Sequence, residues 1–428
     1  MATFDKLNNV LDTSIETING VAKAGVADVN GNALPGGGGA NRANNQPDWA
    51  MGFARTSGGA GKYGYAYDTD RTSWTSADYK TTDRNGSQLI SVGKNASGEG
   101  IFMIAQSLDA GGSGVAQNQQ LAISGDDITD GTTWTNYSLQ DSTLQRNCVT
   151  ALQWSEASDD SAAGVWIAGT LNGKLFRSTN GGSTWSQLNT GSNVPATWRY
   201  YGDGGSPTIS NSNLQYTCVR DITSEGNGTW VIVQKDRMFK STDDGLNWSE
   251  IAHGIDMGTS GASRRFFGII YTNNSYVVTY RTQGEDQTQI RVRSAHKSDL
   301  TDWGSLAFTN SPRIDEPDFS DEFNRVRMVA NSTGKVMFAS FEREKVGILD
   351  VSGKTISNTS AVLINSDADG RIRDIATDGS GVWLISAENS DVWESTNDGS
   401  SWTRIVNGHP DDDTNLNCIT SNAYLPIE

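Results

Sequence analysis

Ser178-Thr-Asn180-Gly-Gly182-Ser-Thr-Trp185 returns almost unchanged as Ser241-Thr-Asp243-Asp-Gly245-Leu-Asn-Trp248 and again as Ser395-Thr-Asn397-Asp-Gly399-Ser-Ser-Trp402. Serine opens each copy, an Asx side chain able to bond backbone amides stands third, glycine that accepts positive φ stands fifth, and tryptophan closes it. Those residue types tie a hairpin and plug a core; none of them performs a reaction. Degenerate echoes occur at Asp130-Gly-Thr-Thr-Trp134, Asp68-Thr-Asp70-Arg-Thr-Ser-Trp74 and Ser298-Asp-Leu-Thr-Asp-Trp303.

Outward from the octapeptides, Val219-Arg-Asp-Ile-Thr-Ser-Glu-Gly-Asn-Gly-Thr-Trp230-Val-Ile-Val aligns nearly position for position with Ile372-Arg-Asp-Ile-Ala-Thr-Asp-Gly-Ser-Gly-Val-Trp383-Leu-Ile-Ser. Each reads as an inner strand, a glycine-rich turn and a second strand led by tryptophan, with a third strand running into the octapeptide. Weaker copies begin at Phe266 and Val326, giving units at about 88 to 140, 147 to 190, 216 to 252, 264 to 309, 324 to 364 and 371 to 406. The chain then ends on Leu416-Asn-Cys-Ile-Thr-Ser-Asn-Ala-Tyr-Leu425, an inner strand with no outer strands after it; Trp49 to Arg55 and Lys62 to Tyr67 are the available donors. The pattern S-x-[DN]-x-G-x-x-W resembles the Asp box of bacterial-neuraminidase-type repeats, which lies on the outer hairpin of a β-propeller blade. This resemblance, with the unit count, implies an all-β chain: one seven-bladed propeller over 49–428, closed between the chain termini. Six blades are the alternative if the insertion at 191 to 213 conceals a different strand count. Closure removes the ring's free edges.

Composition agrees. Gly 47, Trp 13 and 19% charged residues among 428 suit short strands joined by tight turns. A formal net charge of −17 disfavours nucleic acid as a partner, since phosphate binding needs a basic surface. The first residues lack a basic segment followed by an apolar core, and no apolar run approaches ~18 residues, so neither export nor membrane insertion is expected. Cys148, Cys218 and Cys418 occupy similar strand contexts and read as reduced, buried fillers.

Residues 1–33 place Phe4, Leu7, Leu11, Ile15, Ile18 and Ala22 at three- and four-residue steps, one face of a helix. A glycine-rich linker follows over 34–48. A stripe this short needs a partner, either other copies, another protein or the propeller's own surface. Ile15-Glu-Thr-Ile-Asn-Gly-Val-Ala-Lys-Ala-Gly-Val-Ala-Asp-Val-Asn-Gly31 resembles the opening segment of presumed virion proteins of marine tailed phages, although Gly25 and Asp28 depart from the commoner pattern. That resemblance implies a docking piece for other virion proteins, a homo-oligomer in the particle, and assembly in bacterial cytoplasm.

The fold does not settle activity. Asp-box propellers include sialidases, xyloglucan hydrolases, sortilin-like receptors and a photosystem II assembly factor. A sialidase-like site would require an arginine triad on the substrate carboxylate, and Arg220, Arg327 and Arg373 share one inner-strand position. Asp221 and Asp374 follow two of them, so ion pairs account for them equally well. The F-R-I-P-like motif of sialidases is missing; Ser311-Pro-Arg-Ile-Asp-Glu-Pro317 has neither its order nor its place. Trp198, Arg199, Tyr200 and Tyr201 form an aromatic cluster that either stacks on sugar rings of a host-surface glycan or packs onto the propeller. Asn365, Asp367 and Asp369 resemble the start of a Ca²⁺ loop whose closing acid is misplaced: Ala376 stands twelfth. No other cofactor is suggested. The reading is a non-enzymatic display protein of a tailed-phage virion, with a glycan-directed hydrolase as the alternative.

Overall fold

The computed structural model describes residues 17–18, 21–22, 28–29, 32–33, 47–53, 61–80, 87–106, 120–125, 128–129, 134–139, 149–188, 193–198, 217–257, 265–281, 290–304, 326–331, 333–340, 345–364, 372–387, 390–406 and 416–422. Seven antiparallel sheets, each a meander, form a seven-bladed β-propeller. Their inner strands are Ser87–Lys94, Val149–Ser155, Asp221–Gly226, Arg265–Thr272, Val326–Ala330, Ile372–Thr377 and Leu416–Ser421, and they head blades 1 to 7 in that order. Blade 4 has three strands among the described residues, with Trp303 bridging to Ala295 at its outer edge. Blade 7 joins the chain ends: Leu416–Ser421 pairs with Trp49–Phe53, followed by Gly61–Tyr67 and Asp70–Lys80. Pro47 and Asp48 are already buried there, and the Asp48 carbonyl accepts the Asn422 amide at 2.7 Å.

Strand alternation sends successive side chains to opposite sheet faces, so each blade contributes to two seams and the core lies between blades. Trp230 and Ile232 face blade 2, whereas Val231 and Val233 face blade 4. Seven apolar clusters result, one per seam; the last joins Ala50, Tyr63 and Cys418 of blade 7 to Ile90, Phe102 and Trp134 of blade 1. Each fully buried Val, Ile or Phe contributes about 1.5–3 kcal/mol. Cys218 and Cys418 are buried free thiols, and Cys148 lies outside the described residues.

The three octapeptides form one turn. The Ser178, Ser241 and Ser395 hydroxyls accept the amides of Gly182, Gly245 and Gly399 at 2.9, 3.1 and 2.8 Å. Asn180, Asp243 and Asn397 accept the amides four residues on at 3.0, 2.9 and 3.0 Å. Burial pushes the Asp243 carboxyl up, but bonds from Asn247 and Ser241 leave it below its ordinary value. Positions four and five both take left-handed backbone: φ is 58° at Asp244 and 74° at Gly245, 57° at Asp398 and 81° at Gly399. The fifth glycine rests on the preceding blade, where a Cβ on Gly399 would stand 2.4 Å from Met337 Cε and 2.6 Å from Ile348 Cδ1. Two echoes keep only part of this. Asp70 with Trp74, and Asp299 with Trp303, stand one residue closer together and lack the glycine, yet each indole still donates to the carbonyl three residues back at 2.9 and 2.8 Å. Of the remaining echo, Trp134 packs on Tyr63 across the seam, with ring centroids 4.8 Å apart.

The amino-terminal stretch differs from the helical reading. Thr17–Ile18 pairs with Val21–Ala22, and Asp28–Val29 with Asn32–Ala33, so Ile18 and Ala22 stand in a ladder. The sequence carries Asn-Gly between the members of both pairs, the dipeptide favoured in two-residue hairpin loops. Phe4, Leu7, Leu11 and Ile15 lie outside the described residues, as do 34–46. No helix among the described residues is long and apolar enough to cross a membrane.

Removing residues 407–428 deletes the inner strand of blade 7 and strips Trp49–Phe53 of its partner; the truncated chain should be insoluble or melt without cooperativity, and a soluble, cooperatively melting product would contradict ring closure. Gly399→Ala adds left-handed strain and overpacking, an expected loss of roughly 2–4 kcal/mol in urea unfolding; an unchanged midpoint would show that this turn does not carry the seam.

Candidate functional site

Every inner strand is the edge of its sheet, so its outward amides find no strand partner in the ladder. Side chains of the same or the preceding inner strand supply acceptors. Asp221 takes the Ile222 amide on Oδ1 at 2.9 Å and the Ile269 amide of blade 4 on Oδ2 at 3.0 Å. Asp374 repeats this with Ile375 at 2.9 Å and Ile419 of blade 7 at 3.1 Å. Gly268 makes room, since a Cβ there would lie 3.1 Å from Asp221 Oδ2. Thr223 Oγ1 accepts the Tyr271 amide at 3.0 Å, and Thr272 Oγ1 donates to the Asn331 carbonyl at 2.6 Å. Together the seven inner strands enclose a central cavity of about 220 Å³, with Asp221, Thr223, Tyr271, Arg327, Asp374 and Thr420 among its walls.

Of the three matched arginines, only Arg327 lines this cavity. Its Nε lies 3.4 Å from Asp374 Oδ1, an ion pair across the seam between blades 5 and 6. That pairing joins blade 5 to blade 6. Arg373 is buried and Arg220 half-buried at the starts of their inner strands. Trp198 is a core residue: it is 5% exposed, its ring centroid stands 4.6 Å from that of Phe239, and Nε1 donates to the Gly173 carbonyl at 2.9 Å. It cannot stack on a sugar, because the seam between blades 2 and 3 encloses it. Arg199, Tyr200, Tyr201, Asn365, Asp367 and Asp369 lie outside the described residues. Among the described residues no group of three or more His, Cys, Asp or Glu side chains could hold a metal ion.

Two features escape the sequence reading. Register places Arg265 opposite Arg281, and Tyr280 opposite Arg291, concentrating cations at the end of blade 4 where its inner strand begins. The other feature is Tyr276, beside Glu225 at the far end of the neighbouring inner strand, about 16 Å along from Arg220 at 3.3 Å per residue. Burial pushes the Tyr276 hydroxyl well above the ordinary tyrosine range and the Glu225 charge adds to it. A phenol kept protonated in this way is poorly suited to attack as phenolate. Glu225 is in turn paired with Lys240 at 3.2 Å. Only the register and the seam contacts reveal either feature; no linear signal marks them.

No family model and no curated protein matches the chain. Among solved structures it is similar to YCF48 from Cyanidioschyzon merolae, with 12% identity and TM-score 0.45 over 75% of this chain and 84% of that one. It is also similar to the GH74 xyloglucanase from Xanthomonas campestris, with 13% identity and TM-score 0.49 over 86% of this chain and 52% of that one. An ancestral GH74 enzyme shares 14% identity with TM-score 0.46 over 88% and 46% of the two chains. Hydrolases and non-enzymatic proteins both occur among these similar structures. The seven-bladed β-propeller is established by the chain's own sheet order.

Asp374→Ala would take the side-chain acceptor from the Ile375 and Ile419 amides and remove the Arg327 ion pair across the seam, an expected loss of about 3 kcal/mol in denaturant unfolding, with Asp374→Asn intermediate. A loss below about 0.5 kcal/mol, as for an ordinary surface change, would show that the carboxylate does not join the blades.

Proposed function

We propose that this chain is a non-enzymatic structural protein of a tailed-phage virion. Residues 1–33 dock it to other virion proteins, several copies assemble in the particle, and the propeller is displayed for contact with a host-surface glycan or receptor, or with neighbouring subunits. The observation that favours display over hydrolysis is the use of the channel's ionised groups. Asp221 and Asp374 each accept two backbone amides, and Arg327 is paired with Asp374. Groups so engaged hold blades together, whereas a retaining or inverting hydrolase needs two carboxyls facing a substrate. The docking half of the reading rests on the likeness of Ile15–Gly31 to phage virion segments and on the glycine-rich stretch that follows it.

In a meander, the connections from one blade to the next and those from second to third strand leave at one end, where the inner strands start. The short turns and the three octapeptides occupy the other end. The insertion 191 to 213 leaves blade 2 at the first end, and its described part runs along the seam: Asn193 donates to the Leu246 carbonyl of the blade 3 octapeptide at 3.1 Å, while Trp198 donates to the Gly173 carbonyl at the opposite end. The first end, where the longer connections leave, is the face assigned to recognition.

Full-length protein on a glycan array, followed by sizing of each saccharide after prolonged incubation, tests the reading. Retained or unretained saccharides of unchanged length are expected; shortened product would overturn it in favour of a glycan-directed hydrolase. Deleting residues 1–33 should exclude the protein from assembled particles while leaving its melting unchanged, and undiminished incorporation would overturn the docking role.

A further inference from the structure

His253 follows the outer strand of blade 3 and opens the connector into blade 4. Both of its ring nitrogens are committed to backbone. Nδ1 accepts the Ile255 amide at 3.1 Å, which leaves Nε2 as the protonated nitrogen, donating to the Asp236 carbonyl at 3.2 Å. The ring stands edge-on to Phe266 of the next inner strand at 5.1 Å, and the Phe266 amide donates to the Lys235 carbonyl at 2.6 Å. Through these bonds one imidazole fastens the connector to the turn between the second and third strands of blade 3. The connector matters to the ring because Ile255 and Met257 fill the core between blades 3 and 4. Gly254, at φ 64°, passes so close to the blade 4 turn that a Cβ there would stand 2.9 Å from the Thr301 carbonyl oxygen.

We propose that His253 is an acid-sensitive latch on this seam: uptake of one proton at Nδ1 removes the acceptor from the Ile255 amide and releases the connector 253–257. A cavity of about 350 Å³, lined by Asp236, Arg237, Glu250, Asp256 and the ring itself, gives solvent protons access. The charges facing the ring are Asp236 and Arg237 from the strand turn, Glu250 from the outer strand and Asp256 from the connector, with Lys235 and Arg265 at the adjoining strand ends. Arg237 and Glu250 pair at 2.6 Å, which mutes the Glu250 charge. Burial holds the imidazole below the ordinary histidine value of 6.5, against the opposing pull of Asp236 and Glu250. The sign follows: the latch contributes its full stability above pH 6.5, and that contribution is lost as pH falls toward the folded-state value.

Amide hydrogen exchange of 253–257 in the full chain, corrected for the intrinsic pH trend, tests the latch between pH 7.5 and 5. One coupled proton makes the opening constant rise as pH falls below 6.5 in the wild type, with a slope of at most about tenfold per pH unit that levels off at the folded-state value. His253→Asn keeps an acceptor near the Nδ1 position but does not titrate, so its corrected exchange should be flat, while His296→Asn should behave as wild type. A flat wild-type profile, or the same slope in His253→Asn, would overturn the proposal. Should His253→Asn fail to fold, ¹⁵N spectra of the wild-type ring decide: an Nε2–H tautomer at pH 7, with Ile255 protection lost as Nδ1 takes its proton, is expected. Protection that survives protonation would overturn the latch.

Discussion

Seven strand edges meet at the centre of this protein, and the amides along them must be satisfied without a further strand. That constraint shapes the middle of the molecule. Asp221 and Asp374 solve it identically, each binding its own next amide and one from the following blade, while Thr223 does so with a hydroxyl. An ionised carboxylate accepting two amides is a strong, directional joint, and it joins what the apolar cores cannot orient. The channel's charges are therefore explained first as seam chemistry.

The same logic extends outward. No blade has a core of its own; each apolar cluster belongs to a pair. The octapeptide turns serve the seams as well as the hairpins, because the fifth glycine lies against the preceding blade and the closing tryptophan fills the seam beside it. At Asp244 the fourth position adds a polar tie to that neighbour: Arg177 of blade 2 donates to its carbonyl at 2.6 Å and the Ser158 amide of blade 2 to its carboxylate at 2.8 Å. In the degenerate echo of blade 7, Arg71 pairs with Glu394 of blade 6. In a ring built from such pairwise joints every blade needs both neighbours to cover its two faces, and blade 7, made from both chain ends, supplies the last two seams.

Much of this was legible in the chain. The octapeptides, the aligned strands at Val219 and Ile372 and the orphan strand at Leu416 are local patterns, and strand alternation with turn chemistry acts over a few residues. The roles of Trp198, Arg327 and Tyr276 were not legible. A tryptophan beside tyrosines looks the same in sequence whether it meets solvent or, as here, Phe239 of another blade. Helical spacing likewise misled at Ile18 and Ala22, where an Asn-Gly loop signal outweighs the periodicity.

By itself the sequence determined the repeating unit, the turn that ends it and the need for the termini to meet, because each follows from backbone preference and the alternation of apolar residues along one strand. The partner of each polar group was decided only by the tertiary structure. Nothing beside Asp374 in the chain foretells that the ring brings it Arg327 from the blade before and the Ile419 amide from the blade after. Such pairings depend on which strands become neighbours across a seam, and that distance exists only once the chain has closed.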